Sequence, residues 1–123
     1  MDKQRLFDRV WTHFYENEKP SGYIGDTCVY KQGRLGCAIG IQPEFKKIYS
    51  EHMESSGIRT LWYDPDYQGA IAKAFDVDEE ELNHHGIGDV NIPRDIAFLV
   101  DLQDAHDQRA FAIDHNNIWR EVT

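Results

Sequence analysis

The sequence predicts a single, mostly helical domain of the α+β class, and three observations lead to that prediction. The chain has 123 residues, which is enough for one domain with a buried core and too few for two. Apolar residues make up 41% of it, as in a folded globular chain. Apolar side chains recur at helical spacing near both ends, and residues 28–40 read CVYKQGRLGCAIG, a pattern typical of a β-hairpin. We therefore predict a small antiparallel hairpin that packs on helices 2–17 and 94–108, within one domain of residues 1–123.

The first predicted helix covers residues 2–17. Its apolar side chains recur at spacings of one, three and four residues, which places them on one face: Leu6, Phe7, Val10, Trp11 and Phe14. We expect that face to pack against the core. Pro20 and Gly22 then interrupt the pattern and end the helix.

The hairpin prediction rests on Gln32 and Gly33, which suit a two-residue turn. A chain reversal there places Cys28 opposite Cys37 as a non-hydrogen-bonded pair, with Cα atoms about 4.5 Å apart. Both sulfur atoms then lie on the same face of the sheet. The hairpin explains the spacing of the two cysteines without a metal, and buried thiols are favoured over a disulfide or a zinc site.

Two further helices are predicted in the middle of the chain. One begins at Pro43 and ends at Gly57, and the other begins at Pro65 and runs to Phe75. Residues 61–63 are expected to form a short apolar link between them. Asp78 is expected to cap one more helical turn over residues 79–82.

The C-terminal third contains a loop, a helix and an ambiguous tail. Glycine and proline indicate a loop over residues 84–93. Residues 94–108 are predicted to form a helix with one face composed of Ile96, Leu99, Leu102, Gln103 and His106. The tail, residues 109–123, fits either a hairpin about His115, Asn116 and Asn117 or a short helix.

The net charge of −9 is concentrated in one stretch of the sequence. Residues 64–107 contain twelve acidic and two basic residues, whereas the rest of the chain is nearly balanced. Such a surface repels phosphates, which disfavours direct binding of nucleic acid, and it favours a protein partner with a basic surface. A solvated face that only maintains solubility is the alternative. The candidate partner-binding residues are Asp78, Glu79, Glu80, Glu81 and Asp89.

Gln103, His106 and Asp107 are the group that most resembles a site. They lie three and four residues apart, so Gln103 shares one helix face with the other two. A structural role is favoured over catalysis because buried polar groups more often satisfy neighbouring groups than react. In the alternative, the three line a pocket, and a metal is held by Cys28, Cys37 and His106.

Several segments together resemble a family of small hypothetical proteins of bacteriophages and prophages. The segments are LFDRVWTHF, CVYKQGRLGCAIG, IYSEHMESSGI and FLVDLQDAHD. That family is typified by a C-x-Y-R hairpin ending in C-A-x-G and by a helix ending in L-Q-x-x-H-D. This chain departs from it with Lys31 in place of the arginine. The resemblance implies a phage context and no known activity.

These observations predict a non-catalytic phage or prophage accessory protein that binds a protein partner through an acidic surface. Inhibition of a host nucleic-acid-handling or defence complex is one form of that function. The alternative is a small enzyme, or a small-molecule- or metal-binding protein, with the pocket described above. No catalytic motif is present in the sequence, and no cofactor is implied. The charged start MDKQRLFDRV and the absence of a long apolar run predict a cytoplasmic protein that does not enter a membrane.

Overall fold

The computed structural model describes residues 1–16, 23–24, 27–32, 36–83 and 91–116, and this part of the chain is 61% helical. Helix α1 is followed directly by a π-helical turn, and a short 3-10 turn lies between the second and third α-helices. The helical elements are α1 (Lys3–Val10), the π-helical turn (Trp11–Glu16), α2 (Pro43–Lys46), the 3-10 turn (Glu51–Met53), α3 (Ile58–Tyr63), α4 (Pro65–Phe75) and α5 (Arg94–Asn116).

The prediction of an α+β fold built on a β-hairpin is wrong. In the described part of the chain, the strands are limited to the two-residue pair β1 (Tyr23–Ile24) and β2 (Thr27–Cys28), apart from isolated bridges such as Leu82–Pro93, and no hairpin sheet packs against the helices. Cys28 pairs with Tyr23 instead of Cys37. The reason lies after Cys37, where Ile41 N donates to Cys37 O at 3.0 Å and the chain enters tight turns. Backbone groups used in such turns are not available to a ladder. Gly33, in the predicted hairpin turn, lies outside the described residues.

Two glycines of the same stretch lie against the backbone of Tyr30. A Cβ atom at Gly40 would overlap the Tyr30 carbonyl oxygen and lie 2.7 Å from the carbonyl carbon. A Cβ atom at Gly36 would lie 2.6 Å from the same oxygen. Neither position accepts a side chain without movement of the backbone. A close approach to the backbone of residue 30 therefore accounts for Gly36 and Gly40.

The predicted helix from Pro43 to Gly57 ends after about one turn. Pro43 opens α2 as predicted, but Ser50 has extended backbone angles and its hydroxyl accepts a hydrogen bond from His52 N at 3.4 Å. Serine competes in this way with helical hydrogen bonding. Ser55 then has a positive φ of 68°, which an α-helix does not contain. Residues 61–63, predicted as a link, belong to helix α3.

The predicted helical turn over residues 79–82 is instead a bend. Asp78 Oδ1 accepts hydrogen bonds from Glu80 N at 3.1 Å and Glu81 N at 3.3 Å, as in a helix cap. The chain then pairs with the segment before α5, because Arg94 N donates to Glu81 O at 2.8 Å. This long-range pairing replaces the helical hydrogen bonds. We call residues 78–81 the acidic turn.

Helix α5 begins at Arg94, which confirms the predicted start, and continues to Asn116. The hairpin alternative for the tail is therefore wrong over residues 109–116, where the helical alternative is confirmed. Residues 117–123 lie outside the described part of the chain.

The core lies between α1, α5 and the short middle helices. Helices α1 and α5 run side by side in parallel, since Lys3 pairs with Asp95 near their starts and Tyr15 pairs with His106 further along. Helix α3 contacts both α4 and α5. The largest fully buried apolar side chains are Phe14, Ile39, Phe45, Met53, Ile58, Leu61, Ile71, Ile92, Ile96 and Leu99.

Candidate functional site

Gln103 lies on the buried face of α5 and holds the start of α3. Its Oε1 accepts a hydrogen bond from Ile58 N at 3.0 Å, and its side chain is buried. The N-cap of α3 is Gly57, which supplies no side-chain acceptor. Because the first N–H groups of a helix have no intrahelical partner, a distant glutamine supplies one here. This contact gives Gln103 a structural role.

His106 lies one turn further along α5, on the same buried face. Its ring stacks near the Phe14 ring with a centroid distance of 4.2 Å, and its Nδ1 is hydrogen-bonded to the Tyr15 hydroxyl at 3.0 Å. Only 3% of the residue is exposed. The π-helical turn presents the consecutive residues Phe14 and Tyr15 to this one imidazole. His106 therefore joins the π-helical turn to α5 in the interior.

Of the remaining members of the predicted pocket and metal site, Cys37 is the one whose side chain is described. Cys37 is buried, whereas the side chains of Cys28 and Asp107 lie outside the described part of the structure. Among the described residues, no group of three or more His, Cys, Asp or Glu side chains is placed to hold a metal ion. An open groove of about 550 Å³ runs along the outside of α1, and neither Gln103 nor His106 lines it. The pocket and metal site stay predictions.

Glu54 is a second backbone-binding side chain, which the sequence analysis missed. Its Oε1 accepts from Tyr30 N at 3.0 Å, and its Oε2 accepts from Lys31 N at 3.1 Å and from the Tyr49 hydroxyl at 2.7 Å. Burial, the hydrogen bond to Glu54 and the nearby charges of Glu54 and Glu51 raise the pKa of Tyr49 to about 12. The contact spans 24 residues of sequence, so no local spacing predicted it.

Gln42 forms a third such contact and is completely buried. Its Nε2 donates to Leu6 O at 3.0 Å and to Ala38 O at 3.2 Å, which joins α1 to the turns after Cys37. Its Oε1 accepts from Arg9 Nη1 at 3.1 Å. A glutamine can form several hydrogen bonds, and Gln42 uses both ends of its amide in the interior.

Arg9 also binds Glu44 in the first turn of α2. The Arg9 Nη1 atom lies 2.8 Å from Glu44 Oε2 and 2.9 Å from Oε1. Burial opposes ionisation of Glu44, but hydrogen bonds from Arg9 and the backbone, together with the charges of Arg9 and Arg5, outweigh it. The net effect lowers the pKa of Glu44 below its ordinary value.

The acidic turn is fixed to the protein by Asp95, a largely buried residue in the first turn of α5. Asp95 Oδ2 accepts a hydrogen bond from Asp78 N at 2.8 Å, and its Oδ1 lies 3.2 Å from Lys3 Nζ. The turn is therefore attached to α5 and, through Asp95, to α1. The contacts that fix its backbone include the Asp78 carboxylate but not the carboxylates of Glu79 and Glu80.

The four acidic side chains of the turn are exposed, but they are not equivalent. Asp78 caps the bend, and Glu81 forms an ion pair with Arg94 at 2.7 Å, both side chains being more than half exposed. Within the described part of the chain, the carboxylates of Glu79 and Glu80 have no ion-pair or hydrogen-bond partner. Asp89, the fifth predicted partner-binding residue, lies outside the described residues.

Three large aromatic side chains are exposed on the described surface. Phe7 is 47% exposed and Trp11 is 42% exposed, both on the α1 side, and Tyr63 at the end of α3 is 51% exposed. Helical spacing in the sequence predicts that Phe7 and Trp11 belong to the core-facing stripe of the first helix. The structure corrects this, because Leu6, Val10 and Phe14 fill the core and the two aromatic residues flank it.

Comparisons with known proteins found no match for this chain among protein-family models, curated proteins or solved structures. Among the described residues, no helix combines the length and apolar character needed to cross a membrane.

Proposed function

We propose that this protein is a non-catalytic phage or prophage accessory protein that binds a protein partner with a basic surface. The observation that carries the proposal is the acidic turn, in which Glu79 and Glu80 are exposed and have no partner in the described part of the chain. Their backbone is held in place by the Asp78–Asp95 hydrogen bond. The turn thus presents uncompensated charge from an ordered position.

Charge and order together favour binding over a solubility role. Adjacent carboxylates create a negative local potential, which attracts lysine and arginine and repels nucleic-acid phosphates. A turn that is already ordered loses less conformational freedom on binding than a flexible tail does. The carboxylates of Asp101 and Asp104 on α5 are also exposed and without an ion-pair partner among the described residues, and they extend the negative surface.

The partner we propose is a host complex that handles nucleic acid, including a defence complex. Such complexes expose lysine and arginine that bind phosphates, and carboxylates on a protein surface compete for the same groups. Inhibition would then follow from occupation of the basic surface, without a chemical reaction. The site of action in this proposal is the cytoplasm of the host cell.

The test is capture of a partner from bacterial lysate by immobilised protein, with identification by mass spectrometry. The test variant carries Glu79→Gln with Glu80→Gln, and the control carries Glu16→Gln with Glu51→Gln. Both variants lose the same number of charges at exposed positions, but only the first alters the acidic turn. We expect wild type and control to capture the same partner, and the test variant to lose it.

Salt supplies an independent criterion. Capture by the wild type is expected to fall when ionic strength rises from about 0.1 M to about 1 M, where the Debye length shortens from about 10 Å to about 3 Å. Equal capture by the wild type and the Glu79→Gln, Glu80→Gln variant at both salt concentrations would show that the charges serve only to keep the protein in solution.

A further inference from the structure

Phe7 and Trp11 form an exposed apolar patch along one side of the first helix. They are four residues apart, so they lie on successive turns of the same face. Their exposed fractions of 47% and 42% are large for side chains of this size. A single exposed aromatic residue is ordinary on a protein surface, but adjacent ones indicate an interaction surface.

Helix α5 forms the other side of this patch. Lys3 pairs with Asp95, and Tyr15 pairs with His106, so each turn of α1 lies level with the corresponding turn of α5. Phe7 and Trp11 therefore come level with residues 98–102. In that stretch Phe98 is half-buried against the core and Asp101 is exposed. We call Phe7, Trp11, Phe98 and Asp101 the α1–α5 seam.

The border of the seam is acidic. Asp101 belongs to the seam itself, and Asp104 follows on the next turn of α5; within the described residues neither has an ion-pair partner. Lys3, one helical turn before Phe7, is already paired with the largely buried Asp95. Asp95 also binds Asp78 N, so the acidic turn adjoins the end of the seam where α5 begins.

We propose that the α1–α5 seam binds a basic amphipathic helix of the partner protein. An apolar stripe on that helix would cover Phe7 and Trp11, and the lysine or arginine residues beside the stripe would face Asp101, Asp104 and the acidic turn. Helix-in-groove recognition combines these two elements, since apolar anchors supply affinity and flanking charges supply orientation. The inference rests on the proposed function and adds to it the form of the partner.

The probe is a fluorescein-labelled synthetic helix of leucine and lysine, with leucine at positions i, i+3, i+4 and i+7. The matched probe has the same composition in scrambled order. Fluorescence anisotropy measures binding of each probe to the wild type and to variants with Phe7→Ser and Trp11→Ser, singly and together. Tyr63→Ser is the control, because it removes an exposed aromatic side chain from α3. Circular dichroism verifies that each variant is folded. If the double variant does not fold, the binding test uses the two single variants.

We expect the wild type to bind the amphipathic probe more tightly than the scrambled one. The double variant should lose about tenfold in affinity for the amphipathic probe, as is typical when an aromatic anchor is removed, and Tyr63→Ser should bind like the wild type. Equal binding of the two probes, or unchanged binding by the seam variants, would overturn the inference. The inference would also be overturned if the wild type formed dimers and the double variant did not, because the seam would then bind a second copy of the chain.

The Glu79→Gln, Glu80→Gln variant separates this inference from the proposed function. If the glutamine variant weakens binding of both probes while the seam variants bind normally, the proposed role of the acidic surface is supported and the seam proposal fails. If the seam variants weaken binding and the glutamine variant does not, the seam stands and the role of the acidic turn fails.

Discussion

The polar side chains of the interior and those of the acidic turn are used in opposite ways. Gln42, Gln103 and Glu54 each direct side-chain oxygen or nitrogen atoms at backbone groups of distant segments. The carboxylates of Glu79 and Glu80 form no hydrogen bond or ion pair in the described part of the chain, although the backbone of the turn is held by Asp95 and Asp78. The comparison teaches that the buried polar residues of this protein maintain the fold, whereas the carboxylates left for a partner lie at the surface, on the turn and on α5.

The largest expected effect on the interior is that of Gly40→Ala. Its Cβ atom would overlap the Tyr30 carbonyl oxygen, so the backbone must move, and we expect a loss of about 3 kcal/mol in the free energy of unfolding. The matched control is Gly69→Ala within α4, where the new Cβ atom meets nothing within 4 Å. That change should stabilise the protein by about 0.5–1 kcal/mol through helix propensity. Urea denaturation measures both, and similar effects at the two sites would contradict the close approach at Tyr30.

The two buried glutamines provide the next test. Gln42→Leu removes hydrogen bonds to two carbonyl groups and to Arg9, whereas Gln103→Leu removes a single bond to Ile58 N. An unsatisfied buried polar group costs about 1–3 kcal/mol, so we expect the larger loss at Gln42. Thermal and urea unfolding of both variants provides the comparison. A larger loss at Gln103 would mean that the contact at α3 matters more to the fold than the network at α1.

A smaller, pH-dependent effect is expected at Glu44. Because its pKa is lowered in the folded protein, its ion pair with Arg9 stabilises the fold above the ordinary carboxyl pKa. This contribution is lost as pH falls through the lowered folded-state pKa. The stability difference between wild type and Glu44→Gln should therefore be greatest near neutral pH and shrink in acid. A constant difference from neutral pH to about pH 2 would contradict this role of the ion pair.

The smallest expected effect on stability belongs to the acidic turn. Replacement of Glu79 and Glu80 by glutamine removes charge without removing a contact, so the free energy of unfolding should change by less than about 0.5 kcal/mol. Replacement of Asp95 by asparagine should cost more, because Asp95 is paired with Lys3 and holds Asp78 N. If the glutamine variant were destabilised as strongly as the asparagine variant, the distinction between interior and turn would fail.

Local sequence patterns predicted several helix starts, though not that of α3, and long-range contacts decided the rest. Pro43, Pro65 and Arg94 begin helices where the sequence indicated, because capping chemistry acts within a few residues. The predicted hairpin was wrong because the residues around Cys37 suit a compact turn as well as a strand. Only the approach of this segment to the Tyr30 backbone, which depends on the fold, distinguishes the turn from the strand. The contacts of Gln42 and Glu54 join residues far apart in sequence, and no spacing rule predicts them.

The candidate site shows the same division. Charge counting identified the acidic stretch, and helical spacing placed Gln103 and His106 on one face. Neither the charge count nor the helical spacing shows that Glu81 has an ion-pair partner whereas Glu79 and Glu80 do not. The pairing of Glu81 with Arg94 depends on the fold. The sequence did not predict the exposure of Phe7 and Trp11 for a related reason. The apolar stripe of the first helix is wider than the surface that packs against the core, so the residues at the edge of the stripe stay in solvent.

The π-helical turn over Trp11–Glu16 has a consequence for engineering. Its hydrogen bonds join residues five apart where those of an α-helix join residues four apart, so each hydrogen-bonded turn holds one extra residue. Deletion of Thr12 would restore the α-helical repeat and rotate Phe14 and Tyr15 relative to α1. The imidazole of His106 would then keep at most one of its two aromatic neighbours, so this region should tolerate point substitutions better than changes in length.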